Sequence, residues 1–344
     1  LKKTDIKSLT LGELSVLLGE LGQPVFRARQ IYKWLHQKMV CSFDEMSDLS
    51  LNLREQLKEL FYINAVSIQR KLVSKLDGTT KYLMKLSDGQ LIEAVLMRYK
   101  YGNSVCISTQ AGCRMGCKFC ASTLRGRERN LLPSEMLDEI MAVARDTGER
   151  VSHAVLMGIG EPLDNYDNVV RFLELLSSPD GMNMSLRHVS LSTCGLVDRI
   201  YDLMELNLGL TLSISLHAPN DEIRSRIMPV NRKWKVDELL DACRRYFDKT
   251  GRRISFEYTL IDGVNDSERC ARELASKLRG MNCHVNLIPV NNVRETAFRK
   301  SSQLSIRQFQ EVLTKQKINA TIRRELGADI NAACGQLRYE QAES

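Results

Sequence analysis

The sequence predicts an α/β protein in which a small helical unit and a β-meander precede a long alternation of strands and helices. Three observations carry this prediction. Apolar residues recur at helical spacing up to about residue 64, they alternate with a period of two from about 65 to 103, and from 104 onward six strand-then-helix repeats follow. Such repeats build a parallel sheet with helices outside, either an open doubly wound sheet or an incomplete (β/α)6 barrel.

A chain of 344 residues is long enough for a large core and a smaller appendage. The expected division is a helical accessory unit over 1–64, a β-meander over 65–103, the partial barrel over 104–320 and a carboxyl-terminal segment over 321–344. Apolar residues make up 43% and charged residues 26%, the proportions of an ordinary globular protein. No apolar run reaches membrane-spanning length and no secretory pattern opens the chain, although its first residue, Leu1, suggests a trimmed start. Ten cysteines without secretory features predict a reducing compartment, the cytoplasm, where thiols serve metals or redox chemistry. A formal net charge of +7 permits a polyanionic partner such as RNA without requiring one.

Within the helical unit, Leu11, Leu14, Leu17, Leu18 and Leu21 fall at helical spacing before a glycine stop, and a second helix opens on Pro24. A third runs roughly from Leu51 to Phe61. The second helix interleaves Arg27, Arg29, Lys33 and Lys38 with Phe26, Tyr32 and Trp34. That pattern reads either as a basic, aromatic RNA surface or as an amphipathic helix whose aromatics belong to the core.

The meander strands "SIQRKLV", "KYLMKL" and "LIEAVLMRY" are separated by "LDGTT" and "SDGQ", which carry the Asp-Gly turn signal. Glu93 lies in the third strand among Leu91, Ile92, Ala94 and Val95. Alternation alone puts it on the solvated face, whereas a buried acid there would suit proton transfer.

Strands are expected near 104–109, 153–158, 187–193, 209–216, 253–261 and 283–290, with helices such as "SEMLDEIMAVARD" and "VDELLDACRRYF" between them. A last short strand and Cys334 lie in "ATIRRELGADINAACGQL". In both candidate architectures ligands gather at the carboxyl ends of the strands, and the unusual residues of this chain collect there.

Cys113, Cys117 and Cys120 follow the first strand at a C-x3-C-x2-C spacing, which suggests a metal. A closed zinc site wants four ligands and no fourth lies close downstream, while a cubane held by three thiolates leaves one iron open to an outside ligand. Gly158, Gly160 and Glu161 end the second strand, where bare backbone and a carboxylate suit a cationic amine, although a tight turn explains them equally. Ser192, Ser215 and His217 supply polar groups at neighbouring strand ends, and Asn291 offers both a donor and an acceptor to an adenine edge. Taken alone, Cys106 and Cys334 read as small core hydrophobes.

The cysteine motif, with Phe119 before its last thiol, resembles that of the radical S-adenosylmethionine (SAM) superfamily. The resemblance implies an incomplete (β/α)6 radical SAM barrel, a [4Fe-4S] cluster on Cys113, Cys117 and Cys120, and SAM chelated at the open iron. "GIGEP" resembles the superfamily element that meets the SAM amino group, and Gly160, Glu161, Ser192, Ser215, Leu216, His217 and Asn291 become the expected SAM contacts. Beyond the superfamily, "FRARQIYKW", "CISTQAGCRMGCKFC", "GEPLDN", "LSTCG", "SLHAPN", "RIMPVN", "GVND", "HVNLIPVN" and "DINAACGQL" resemble the RNA adenosine methyltransferases of the dual-specificity RlmN type.

That resemblance implies that a first SAM methylates Cys334 and that a second, cleaved at the cluster, yields a radical that takes hydrogen from the S-methyl group. The resulting carbon radical adds to carbon 2 of adenine, Glu93 occupies the proton-acceptor position, and Cys106 releases the product by pairing with Cys334. The implied substrates are an adenosine in the peptidyl-transferase region of 23S ribosomal RNA and the adenosine beside the anticodon of certain tRNAs. A reductant such as flavodoxin or ferredoxin is implied as well. Arg98, Lys100, Arg125, Arg127, Arg129, Arg323 and Arg324 are candidate phosphate contacts. Cys194 and Asn331 stand where the family pattern leads one to expect serine and aspartate. Two other readings are a carbon 8 methyltransferase of the Cfr resistance type, disfavoured by the proline of "GEPL", and a non-enzymatic RNA-binding protein stabilised by metal.

Overall fold

The computed structural model describes residues 3–291, 296–333 and 336. The opening segment forms α1 (Leu11–Glu20), α2 (Phe26–His36) and α3 (Leu51–Leu60), and a short parallel pair, β1 (Thr4–Asp5) with β2 (Phe61–Tyr62), ties its two ends together. Thr10 and Glu13 form a capping box on α1, and Ser50 caps α3. Tyr32 and Trp34 are buried, and Trp34 Nε1 donates to Asp48 Oδ1 at 2.6 Å. Those two aromatics of α2 therefore belong to the core; Phe26 is exposed, with the Arg27 guanidinium over its ring.

The meander strands are β3 (Ser67–Val73), β4 (Thr80–Lys85) and β5 (Leu91–Tyr99), paired antiparallel. β5 continues antiparallel onto β6 (Gly102–Cys106), which also pairs in parallel with β9 (Val151–Leu156). The meander is thus the flank of one continuous sheet. A short hairpin, β7 (Gln110–Gly112) with β8 (Arg127–Asn130), is inserted between β6 and α4 (Pro133–Thr147), and the cysteine loop is its connection.

Six strand-helix units follow the predicted rhythm. After β9 come α5 (Tyr166–Ser177), β10 (Val189–Thr193), α6 (Val197–Glu205), β11 (Thr211–Ser215), α7 (Asp221–Ile227) and α8 (Val236–Thr250). β12 (Ile254–Leu260), α9 (Glu268–Leu278), β13 (Cys283–Pro289), α10 (Gln303–Lys315) and β14 (Ala320–Ile322) complete the sheet. Among the described residues the sheet has ten strands in the order β14-β13-β12-β11-β10-β9-β6-β5-β4-β3, parallel from β6 to β14.

Alternate residues of the central strands, such as Leu191, Leu212, Ile214 and Phe256, are fully buried. Lys7 anchors the helical segment to the sheet layer. Its fully buried ammonium donates to Asp138 Oδ1 on α4 at 2.8 Å and to the Asn64 carbonyl at 2.5 Å. Among the described residues no helix is long and apolar enough to cross a membrane.

Candidate active site

The carboxyl ends of β9 to β13 open onto a cleft lined by all three motif cysteines, Gly158, Gly160, Glu161, Ser192, Cys194, Ser215, His217 and Asn291. The hairpin directs the cysteine loop into it: the Cys113 N–H donates to the Gly126 carbonyl at 2.8 Å, and the Lys118 N–H to the Ile227 carbonyl at 2.9 Å. The Thr123 hydroxyl donates to the carbonyls of Cys117 and Cys120 at 3.2 and 2.9 Å, which fixes the turn between those two thiols. Burial pushes the Cys113 thiol up to about 12 and raises that of Cys117, so a bound metal must displace their protons. Among the described residues no three such donors are gathered for a single ion. Three soft thiols lining one cleft suit an iron-sulfur cluster by the chemistry of the donor set.

Gly160 has φ +110, and a Cβ there would lie 2.7 Å from Gln110 Cβ and 2.8 Å from its backbone nitrogen, so glycine is required. Next to it, buried Glu161 accepts from the Leu163 N–H at 3.0 Å and the Cys194 N–H at 2.7 Å. Burial raises this carboxyl above its ordinary value, opposed by those hydrogen bonds. One acid therefore joins the ends of β9 and β10. Arg224, fully buried on α7, performs the same service for β10 and β11. Its guanidinium donates to the carbonyls of Leu216 at 3.0 Å, Cys194 at 2.6 Å and Ser215 at 3.2 Å.

Ser192 and Ser215 face one another, Oγ to Oγ, at 3.4 Å. His217 adopts φ +55, accepts from the Thr259 N–H at Nδ1 over 2.9 Å, and meets the Phe119 ring edge-on at 4.9 Å. That bond puts the ring proton on Nε2, and burial with the nearby Arg224 holds the imidazole down to about 3, hence neutral. Leu216 is fully buried in the core and does not line the cleft; its backbone N–H and carbonyl are engaged by the Glu257 carbonyl and Arg224.

Arg224 and Glu257 escaped sequence reasoning. Arg224 reads as one charge in a polar helix. Glu257, in the apolar run "ISFEYTL", shows the same signal that drew attention to Glu93. Its buried carboxyl lines the cleft, accepts from Asn286 Nδ2 at 2.8 Å and sits 3.8 Å from Arg323 Nη1.

A second cavity, of similar size, shares Met157, Ile288, Asn291 and Arg323 with the first. It holds Cys106, from the end of β6, together with Val95, Met97, Ala332 and Ala333. Cys106, Val95, Met97, Ile159 and Ala332 form a small apolar cluster of their own. Cys334 lies outside the described residues, but the chain leading to it ends in this cavity beside Cys106. Glu93 is 3% exposed, which corrects the solvated placement that alternation predicts. The Lys81 ammonium is 2.9 Å from its Oε1, and this ion pair makes a buried acid tolerable.

Several of the expected phosphate contacts are engaged inside the protein. Arg127 pairs with Asp164 at 2.7 Å, Arg129 with Glu135 at 2.7 Å, and Arg98 with Glu149 at 3.3 Å. Arg323 and Arg324 line the second cavity.

Residues 107–273 match the radical SAM superfamily, and residues 4–63 match the ribosomal RNA large subunit methyltransferase N-terminal domain. A protein of Lachnoclostridium phytofermentans, described as a probable dual-specificity RNA methyltransferase RlmN, is 55% identical over 98% of this chain and 95% of its own. One of the same description from Alkaliphilus oremlandii is 54% identical over the whole of both chains. This chain belongs to the RlmN family of radical SAM RNA methyltransferases. The crystal structure of a radical SAM methyltransferase from Sphaerobacter thermophilus shares its fold at a TM-score of 0.94 and 43% identity, covering 97% of this chain and 99% of the other. Membership of the superfamily brings SAM and an iron-sulfur cluster, which the three thiols and the polar strand ends of the first cleft are suited to hold.

Proposed function

We propose that this RlmN-family chain methylates carbon 2 of adenosine in 23S ribosomal RNA at the peptidyl-transferase centre and beside the anticodon of certain tRNAs, using Cys334 as the methyl carrier. One observation supports this reading most. Cys106 shares a cavity with Ala332 and Ala333, immediately before Cys334, and that cavity adjoins the cleft of Cys113, Cys117 and Cys120 across Met157, Ile288, Asn291 and Arg323. The thiol that releases the methyl group thus lines a cavity next to the thiols that hold the cluster.

In this reading Cys113, Cys117 and Cys120 hold a [4Fe-4S] cluster, and two SAM molecules are consumed per turnover. When bound, the cluster and SAM supply the carbon-centred radical that an electron-poor ring carbon requires, with electrons from a carrier such as flavodoxin or ferredoxin. Gly160 and Glu161 would hold the SAM amine, and the neutral His217 lines the same cleft. Ser192 and Ser215 supply hydroxyls, and Asn291, at the boundary of both cavities, suits an adenine edge. Glu93 accepts the proton that leaves carbon 2, and the unpaired electron of the adduct passes to a one-electron acceptor, a role the oxidised cluster would fill when bound. The carbon-sulfur bond to Cys334 then breaks as the sulfurs of Cys106 and Cys334 join, and the methylene carbon keeps the bond's electron pair and takes a proton. An unpaired, flipped base suits attack at a ring carbon. The expected setting is the cytoplasm, where both RNAs occur.

Mass-spectrometric mapping of the methyl group on RNA treated with protein, SAM and reductant tests the reading. Methyl on carbon 2 supports it, while methyl on carbon 8 assigns the chain to the sister activity instead.

A further inference from the structure

We propose that Lys81 is a positioning residue that registers the segment carrying Cys334 against the proton acceptor Glu93. The inference rests on the roles given above to Glu93, Cys106 and Cys334, and adds a residue that those roles leave unexplained. Lys81 on β4 is only 9% exposed. A buried ammonium is costly unless it is fully partnered. Its Nζ lies 2.9 Å from Glu93 Oε1 and also donates to the Asn331 carbonyl at 3.2 Å. Asn331 is three residues before Cys334. One cation therefore touches the acid that takes the proton and the segment that carries the methyl group.

The β3-β4 hairpin is built as a dock for this segment. Asp77 Oδ2 accepts from the Gly327 N–H at 3.0 Å, and the Asp329 carboxylate accepts from the Ser74 hydroxyl at 2.6 Å and the Lys75 N–H at 2.9 Å. Gly327, at φ +62, turns the chain so tightly that a Cβ there would lie 2.7 Å from that of Ala332, and Ala332 packs into the cluster of Val95 and Cys106. Those contacts fix where the segment lies but touch nothing that reacts. Of the three attachments, that of Lys81 is the one that also reaches Glu93.

Without the ammonium, the Glu93 carboxylate loses the cation held against it and the Asn331 carbonyl loses its donor, so acid and segment are no longer held to one point. The step affected is specific. The C–H bond at carbon 2 of the adduct radical breaks, its proton passes to the Glu93 carboxylate, its electron pair stays on the ring, and the unpaired electron leaves to a one-electron acceptor, which the oxidised cluster would be when bound. Methylation of Cys334 occurs earlier and does not need this transfer.

Lys81→Met should therefore retain the cluster and still form S-methyl Cys334, while RNA turnover falls at least tenfold in kcat with KM little changed. A covalent protein-RNA species should build up, and Lys81→Arg, which restores the charge, should recover most of the rate. Iron content, mass spectrometry of the Cys334 peptide and denaturing gels provide the readouts. If the Met variant does not fold, Lys81→Gln, which keeps a donor but no charge, gives the same comparison. Wild-type turnover by the variant, or equal loss of Cys334 methylation and RNA methylation with no trapped species, overturns the proposal. Cys106→Ala serves as the parallel control. If it traps the adduct and Lys81→Met does not, the Lys81 role fails alone; if neither does, the reading of Cys106 and Cys334 beneath it fails too.

Discussion

Glu161 Oε2 accepts the backbone N–H of Cys194 at 2.7 Å, so the acid that ends β9 holds the first residue after β10 in place. Its other oxygen accepts from Leu163, and both bonds need an acceptor. Glu161→Gln sets an amide donor against one of those N–H groups, and leaving a buried donor unpaired costs about 1–3 kcal/mol. The variant should bind its cluster normally yet bind SAM roughly tenfold or more weakly, since losing a carboxylate partner for a charged amine costs about 1.5–3 kcal/mol and about 1.4 kcal/mol is tenfold in affinity. Equilibrium dialysis on the iron-loaded protein measures this.

Arg224 is the corresponding tie between β10 and β11, and it is fully buried. Arg224→Met fills much of the space but strands three strand-end carbonyls. Leaving buried acceptors without a donor costs about 1–3 kcal/mol. Denaturant unfolding should register that loss, and a change under about 1 kcal/mol would mean the carbonyls find other donors.

His36 provides a pH signature away from the chemistry. Both ring nitrogens are buried without a partner among the described residues. Burial, with the nearby Lys7 ammonium, holds its imidazole down to about 3 from an ordinary 6.5. The unfolded chain therefore takes up a proton below 6.5 that the folded chain refuses, so stability is lost as pH falls from there toward 3. Relative to wild type, His36→Phe should gain about 2 kcal/mol between pH 7 and pH 5. Denaturant midpoints at the two values decide it, and a difference that does not change with pH contradicts the assignment.

Local patterns made much of this architecture legible. The three amino-terminal helices, the meander strands and the strand-helix rhythm follow from periodicity and turn residues, and the strand ends collect the polar residues as topology requires. What was hidden depends on partners distant in sequence. Fusion of the meander with the main sheet is a matter of β5 pairing with β6 and β6 with β9, which no local pattern encodes. The hairpin around the cysteine loop has strands of only three and four residues, too short to show a period. Glu93 looks solvated until Lys81 is seen beside it, and Arg224 looks like surface charge until three carbonyls are found around it. In the family resemblance, Glu93 was legible where alternation misled.

The account turns on two thiols, Cys334 as carrier and Cys106 as its release. Cys106→Ala, given SAM, reductant and RNA, should accumulate a covalent protein-RNA species. Mass spectrometry of its digest tests the claim most directly. The account predicts a nucleotide linked through one carbon to the sulfur of Cys334. Free methylated RNA released at the wild-type rate, or a link to any other residue, would contradict it.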